Sequence, residues 1–222
     1  MSACYFSGYG YNHRHWGKEV VVDESADEVG MRREKAFLQL IHESGLLKRV
    51  RRSGWWVVGI NNPESVAEHC FRCAVIGYVL AVMERLDAHT VTMMCLLNDI
   101  QEARINDAHK VASRYLNFSA AEDAAFADQT ARLPEPARRQ LRAWRADYTA
   151  QKTPESIAAR DADILECLIQ AKEYHEQGYA QAEKFLRKAP RFLRSAAAKQ
   201  LWQAALRTDS SGWWQELTDF KR

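Results

Sequence analysis

Apolar residues recur along most of this chain at the three-and-four spacing of one-sided helices, and almost nowhere alternate as in a strand. The first such segment runs from Met31 to Leu47, with Phe37, Leu38, Leu40, Ile41 and Leu46 setting its apolar side. Asn61-Asn62-Pro63-Glu64-Ser65 reads as a turn in which Ser65 caps the next helix, with Glu68 as the other half of a capping box. That helix should reach about Leu86, and its apolar residues on most sides (Val75, Ile76, Val79, Leu80, Val82, Met83) predict a central position. Further helices are expected from about Ala88 to Ile105, near Val111 to Leu116, and from Ser119 to the break at Leu133-Pro134-Glu135-Pro136. The series continues over Pro136 to Ala150, from a Thr153-Pro154-Glu155 start to about Tyr174, near Tyr179 to Lys188, and over Ser195 to Arg207, with Trp213-Trp214 in a short last helix or tail. No repeat, low-complexity tract or convincing strand interrupts it. The pattern predicts an all-α, single-domain helical bundle over residues 31–222. Residues 1–30 lack a helical period but carry Tyr5, Phe6, Tyr9, Tyr11, His13, His15 and Trp16, and end in acid from Asp23 to Glu28. Disordered tails rarely hold so many aromatics, so this arm is expected to pack on the body or on a partner subunit.

Composition narrows the class without naming a function. A chain of 222 residues can bury a substantial core, and 47% hydrophobic with 27% charged residues is the balance of a globular protein. A net charge of +2 makes any polyanion site local rather than a property of the whole surface. The five cysteines (Cys4, Cys70, Cys73, Cys95, Cys167) are odd in number and mostly lie in apolar helical pattern, which favours buried thiols in a reducing cytoplasm. Cys70 and Cys73 form a CxxC without a second pair, and read as helix packing. No stretch reads as a signal peptide or approaches the roughly 20 apolar residues that span a bilayer, so no membrane partner is expected.

The chemistry concentrates behind the apolar run Val91 to Leu97, in Leu97-Asn98-Asp99-Ile100-Gln101-Glu102 and on through Asp107 and His109. Unpaired polar groups at a core face cost about 1–3 kcal/mol each, so such a cluster calls for a reason. On a helix Asp99 and Glu102 share a face, where one carboxylate can hold a cation while the other orients a water; the alternative is a helix end meeting solvent. Two more places put ligand-type residues in buried helical context: His69, and Asp161-Ala162-Asp163. Antiparallel helices can bring all three together in a bundle core. Asp161 and Asp163 are two apart and should not both face inward. Asp163 is the better candidate, because it pairs with Glu166 and is flanked by Ile164, Leu165, Cys167 and Leu168. Ahead of His69 lies a basic turn, Lys48-Arg49-Val50-Arg51-Arg52-Ser53-Gly54, leading into Trp55. Arginine offers a planar fork of donors for phosphate oxygens, and Trp55 either stacks on a base or sugar or fills the core.

Ser65-Val66-Ala67-Glu68-His69, then Leu97-Asn98-Asp99 with Glu102 and Asp107, then Asp163-Ile164-Leu165-Glu166 with Gln170-Ala171 and Tyr174 resemble the HD-domain metal-dependent phosphohydrolases, in particular the 5′-deoxynucleotidase branch. The resemblance spans about residues 35–175. It implies one divalent ion (Mn, Co, Mg, Ni, Fe or Zn) held by His69, Asp99, Asp163 and the residue at position 98. It also implies Glu102 and Asp107 as active-site carboxylates, Asp107 protonating the leaving oxygen or holding the sugar, although Asp107 also suits a plain N-cap. The family keeps an Arg near a Trp for phosphate and nucleoside contact, here matched to Arg52 and Trp55, and His109 becomes a substrate group rather than a ligand. Asn98 departs from the pattern, since it stands where the family's doublet His belongs. An amide oxygen is a weaker, harder donor than imidazole, which should lower affinity and tilt preference toward Mg²⁺ or Mn²⁺. An introduced disabling replacement, an adaptation and a loss of activity all fit that change. The implied activity is removal of phosphate from a nucleotide or related phosphomonoester, in a homo-oligomer, expected to be a dimer. Two alternatives stand beside it: a non-catalytic nucleotide-binding module, and a phosphodiesterase, cyclic-phosphate or triphosphate hydrolase on the same centre. Binding of nucleic-acid ends would rest on the Arg-rich turn with Trp55-Trp56, without stacked aromatics at further positions.

Overall fold

The computed structural model of the chain describes residues 24–215 and 217. Among the described residues ten α-helices follow one another: α1 (Glu24–Leu46), α2 (Val66–Glu84), α3 (Ala88–Leu97), α4 (Glu102–Ile105), α5 (Phe118–Thr130), α6 (Glu135–Ala150), α7 (Pro154–Glu176), α8 (Glu183–Lys188), α9 (Ala196–Ala205) and α10 (Gly212–Gln215). Short 3₁₀ turns at Ser53–Val58, Ala112–Arg114, Ala180–Ala182 and Ala189–Phe192 complete the order, and the described residues contain no strand beyond one isolated bridge, Arg51 to Ser65. The fold is all-α.

Local chemistry sets the helix starts. The Ser65 hydroxyl accepts from the Glu68 amide at 3.2 Å, and the Glu68 carboxylate accepts from the Ser65 amide at 2.6 Å, closing a capping box on α2. Thr153 and Ser156 form the equivalent box on α7, with Pro154 at the first helical position, and Asp87 caps α3. These three helices carry the core. Leu80 of α2, Val91 of α3 and Ala162, Leu165 and Leu168 of α7 are wholly buried, and α9 closes one side with Ala198 and Trp202. Each such large apolar side chain contributes about 1.5–3 kcal/mol. Gly77 sets how closely α2 and α3 approach, since a Cβ there would stand 2.5 Å from the Cys95 Sγ.

Several expectations need correction. The helix read as continuous from Ala88 to Ile105 breaks after Leu97: residues 98–101 form a turn, with three-residue hydrogen bonds such as Glu102 N to Asp99 O at 3.0 Å. Asn and Asp side chains favour such local departures from a helix, and the break swings Asp99 toward α2. Residues 24–30, assigned to the arm, are helical in α1. The arm's aromatic residues lie outside the described residues. The helix expected near Val111 to Leu116 is a single 3₁₀ turn, and the one near Tyr179 to Lys188 splits into a 3₁₀ turn and α8. By length and composition α2 is apolar enough to cross a membrane, contrary to the expectation that no stretch approaches that limit. Its burial against α3 and α7 accounts for part of that apolarity, and its outer face for the rest.

Candidate metal centre

The α2 capping box places His69 in the first turn of that helix, facing α7 with only 1% of its surface exposed. Its Nδ1 makes a short contact with Glu166 Oε2, and Glu166 is itself wholly buried. The other Glu166 oxygen receives Arg72 Nε at 3.0 Å and Nη2 at 2.8 Å, while Arg72 Nη1 reaches both Glu173 oxygens at 2.8 and 2.7 Å. A carboxylate at Nδ1 fixes the proton there and turns the Nε2 lone pair outward, the arrangement of a metal-ligating imidazole. That Nε2 lies 3.2 Å from Asp163 Oδ1 on α7 and 3.5 Å from Asp99 Oδ2 in the turn after α3. Residues 69, 99 and 163 therefore meet at one point.

The other carboxylate oxygens are tied back. Asp163 Oδ2 receives Arg160 Nη1 at 2.7 Å and Tyr148 Oη at 3.2 Å. Asp99 Oδ1 receives the Asn98 amide nitrogen at 2.7 Å. Asp99 Oδ2 is buried without a hydrogen-bond partner, with Arg52 Nη1 3.6 Å away, and the buried Glu102 Oε2 also has none. Buried carboxylate oxygens left unpaired are costly unless a cation joins them. The titration behaviour agrees. Burial and Arg52 push the His69 pKa down, yet Asp163 and Glu166 outweigh them and raise it to about 10. Burial, then Asp99 and Asp107, push Glu102 up to about 10, and burial raises Asp99. Burial opposes ionisation of Asp163 as well, but His69 and Arg160 hold its pKa below the ordinary carboxylate range. The cluster without an ion is short of positive charge and draws a proton onto His69; a divalent ion at Nε2 would take that proton's place. One imidazole and two carboxylates suit Mg²⁺, Mn²⁺ or a later transition ion.

A rival group lies on the Nδ1 side, where ligand atoms of Glu64, His69 and Glu166 fall within 4.8 Å of one another. Both Glu166 oxygens are engaged there and Arg72 already supplies the positive charge, so the Nε2 side, with its unpaired oxygens, fits a cation better.

The remaining sequence candidates fall in different places. Arg52 stands beside the centre, 3.6 Å from Asp99 and 3.2 Å from Asp107 Oδ1. Asp107 is committed: its Oδ2 accepts from the Ser53 amide at 2.5 Å and the Ser53 hydroxyl at 2.8 Å, so it anchors the Arg52–Ser53 segment. Trp55 offers no stacking face. It is 3% exposed, packs its ring against Tyr174 and Phe185, and donates Nε1 to Glu64 at 3.0 Å. His109 Nδ1 accepts from the Ala112 amide at 3.2 Å and caps the following 3₁₀ turn. Asp161 corrects the expectation that only one of Asp161 and Asp163 could face inward. It is buried at 1% exposure and accepts from the Arg194 and Ser195 amides at the start of α9, because α7 is covered on several sides. Sequence reasoning missed Arg72, Tyr148 and Arg160, and saw Glu166 only as a neighbour of Asp163. Their partners lie far away in the chain or, for Arg160, one helical turn on, where a charged pair is commonplace.

The pattern of the HD domain family matches residues 44–202. Human 5′-deoxynucleotidase HDDC2 is 30% identical over 145 residues, covering 64% of this chain and 70% of that protein. The Dictyostelium discoideum 5′-deoxynucleotidase HDDC2 is 27% identical over 150 residues, 64% of this chain and 78% of its own. Among solved structures, a conserved hypothetical protein from Pyrococcus furiosus superimposes with a TM-score of 0.66 at 29% identity, covering 77% of this chain and 99% of that one. A predicted metal-dependent phosphohydrolase from Magnetospirillum magnetotacticum shares the fold, with a TM-score of 0.59 at 23% identity over 79% of this chain and 94% of that one.

Proposed function

The chain belongs to the HD-domain family, and on that premise we propose that it is a metal-dependent phosphohydrolase that releases phosphate from nucleoside 5′-monophosphates, 2′-deoxynucleotides among them. The observation that carries this reading is the convergence of His69 Nε2, Asp99 and Asp163 with an unpaired Asp99 oxygen between them. A phosphate monoester carries close to two negative charges near neutral pH, and a divalent ion supplies the charge neutralisation and the acidified water that its hydrolysis needs.

This chain's own residues do the rest. Arg52, pinned from behind by Asp107, presents its guanidinium at the edge of the centre to phosphoryl oxygens. Glu102 is buried and has a free Oε2 one short turn from Asp99. In its ionised form that carboxylate can orient the attacking water and accept its proton. Asp107 acts by holding Arg52, since its carboxylate is already bonded to Ser53.

The test is phosphate release from 2′-deoxynucleoside and nucleoside 5′-monophosphates with Mn²⁺, Co²⁺, Mg²⁺ or Zn²⁺, with cyclic phosphates and triphosphates in parallel. Activity on monophosphates that disappears with chelator and in Asp163→Ala supports the reading; no release from any of them by the unaltered chain or by Asn98→His refutes it. Asn98 favours one second reading, a nucleotide-binding module, which would bind monophosphates by calorimetry without turnover.

The expected self-association has a surface to match. Phe71, Val75, Tyr78 and Val82 follow the 4-3-4 spacing of a helix–helix seam on the outer face of α2, and each is about half exposed or more. A second copy meeting this face about a two-fold axis would cover it. Light scattering should give a dimer mass, and Tyr78→Glu a monomer; a monomeric parent chain would refute this part.

A further inference from the structure

Each of the three residues that meet at the centre turns one atom inward and gives its other end to a dedicated partner. His69 turns Nε2 inward and gives Nδ1 to Glu166. Asp163 turns Oδ1 inward and gives Oδ2 to Arg160 at 2.7 Å and Tyr148 at 3.2 Å. Asp99 turns Oδ2 inward, 3.5 Å from the same Nε2, and gives Oδ1 to the Asn98 amide nitrogen at 2.7 Å. Asn98 thus holds for Asp99 the place that Arg160 and Tyr148 hold for Asp163 and Glu166 holds for His69.

We propose that Asn98 is a positioning residue for Asp99 and not a metal ligand, so that three protein groups, His69, Asp99 and Asp163, hold the ion. This rests on the metal-centre reading above and revises the four-donor set implied by the family pattern. Two observations carry it. First, the Asn98 amide nitrogen donates at 2.7 Å to Asp99 Oδ1, the oxygen of Asp99 that does not face His69 Nε2. Second, Asn98 lines a cavity of about 20 Å³ with Met94, Phe126, Trp144 and Tyr148 among its neighbours, and no imidazole or carboxylate lines it.

The change from imidazole to amide therefore removes a donor without loosening Asp99. One more position on the ion is left to water or a phosphoryl oxygen, and the loss of a nitrogen donor weakens Zn²⁺, Co²⁺ and Ni²⁺ more than Mn²⁺ or Mg²⁺. An outer partner of a ligand typically contributes 10–100-fold to metal affinity, and it does so only through that ligand.

A double-mutant cycle on the full chain separates the two roles, with Zn²⁺ and Mn²⁺ affinities read by calorimetry or chelator competition. Asn98→Ala should weaken Zn²⁺ binding about 10–100-fold in the parent. In the Asp99→Ala background the same change should alter it less than about threefold, because no carboxylate remains to be oriented. Asn98→His should gain at least about tenfold more for Zn²⁺ than for Mn²⁺. A further loss of tenfold or more from Asn98→Ala without Asp99 would show an independent ligand and overturn the proposal. If Asp99→Ala binds too weakly to titrate, the crystal structure of the Mn²⁺-loaded parent decides: Asn98 Oδ1 beyond about 3 Å from the ion supports it, and a bond near 2.2 Å overturns it. Failure of the parent chain to bind any of these ions would overturn the hydrolase reading and this assignment together. An ion bonded to Asn98 would remove this assignment alone.

Discussion

Replacing Glu166 by Gln tests the support behind the centre rather than the centre itself. Glu166 is wholly buried; one oxygen accepts from His69 Nδ1 and the other takes two donors from Arg72, at 3.0 and 2.8 Å. The amide of Gln can keep only one of these relations, since its NH₂ must face either the Arg72 guanidinium or the His69 N–H, donor against donor. Arg72 keeps Glu173, so the broken pair is not wholly abandoned. Breaking a buried ion pair from one side costs about 3–5 kcal/mol. For a chain of this size each kcal/mol lowers Tm by about 2–4 °C, so a fall of about 6–20 °C is expected by calorimetry of the metal-free protein. The freed imidazole no longer holds its tautomer, and Mn²⁺ affinity should drop about 10–100-fold. A Tm within about 2 °C of the parent, with Mn²⁺ affinity changed less than threefold, would refute the view that Glu166 orients His69.

Three other predictions follow from single contacts. Glu64 is raised to about 7 by burial and by Glu166, from 4.5, so the folded metal-free protein holds a proton that the unfolded chain has lost across that window. Stability should therefore decline from pH 4.5 to 7 on this account, and Glu64→Gln, which can still accept from Trp55, should exceed the parent at pH 8 by on the order of 3 kcal/mol and match it at pH 4; equal denaturation midpoints at pH 8 would contradict this. Trp55→Phe should lower Tm while leaving KM for nucleotides within about threefold, because the indole is core; a tenfold rise in KM at unchanged Tm would restore a stacking role. Asp107→Ala should release Arg52 and raise KM about tenfold, with kcat falling less; a kcat loss of 10²–10⁴, the size of a missing general acid, would make Asp107 the leaving-group acid instead.

What could be read from the chain was what is local. The Ser65–Glu68 box, the Thr153 start and the proline break at 134–136 each announce themselves within four residues, and the helices they bound appear in the fold. The turn at 98–101 did not show, because apolar spacing runs unbroken through it and the break depends on where Asp99 is drawn in three dimensions. His69, Asp99 and Asp163 could be joined only through the spaced motifs, as nothing in their separate neighbourhoods requires them to meet. Arg72 and Glu166 are 94 residues apart and carry no mutual signal, though their pairing shapes the centre. Asp161 misled because a one-sided helix was assumed, whereas α7 is covered on several faces. Trp55 left two readings open, and burial against Tyr174 and Phe185 chooses between them.

The position of the ion tests the central claim most directly. In crystals of the protein grown with Mn²⁺, an anomalous-difference map should place one peak on the Nε2 side of His69, within about 2.0–2.4 Å of that nitrogen and of oxygens from Asp99 and Asp163. A peak on the Nδ1 side, between Glu64 and Glu166, or none near His69 at all, would contradict it.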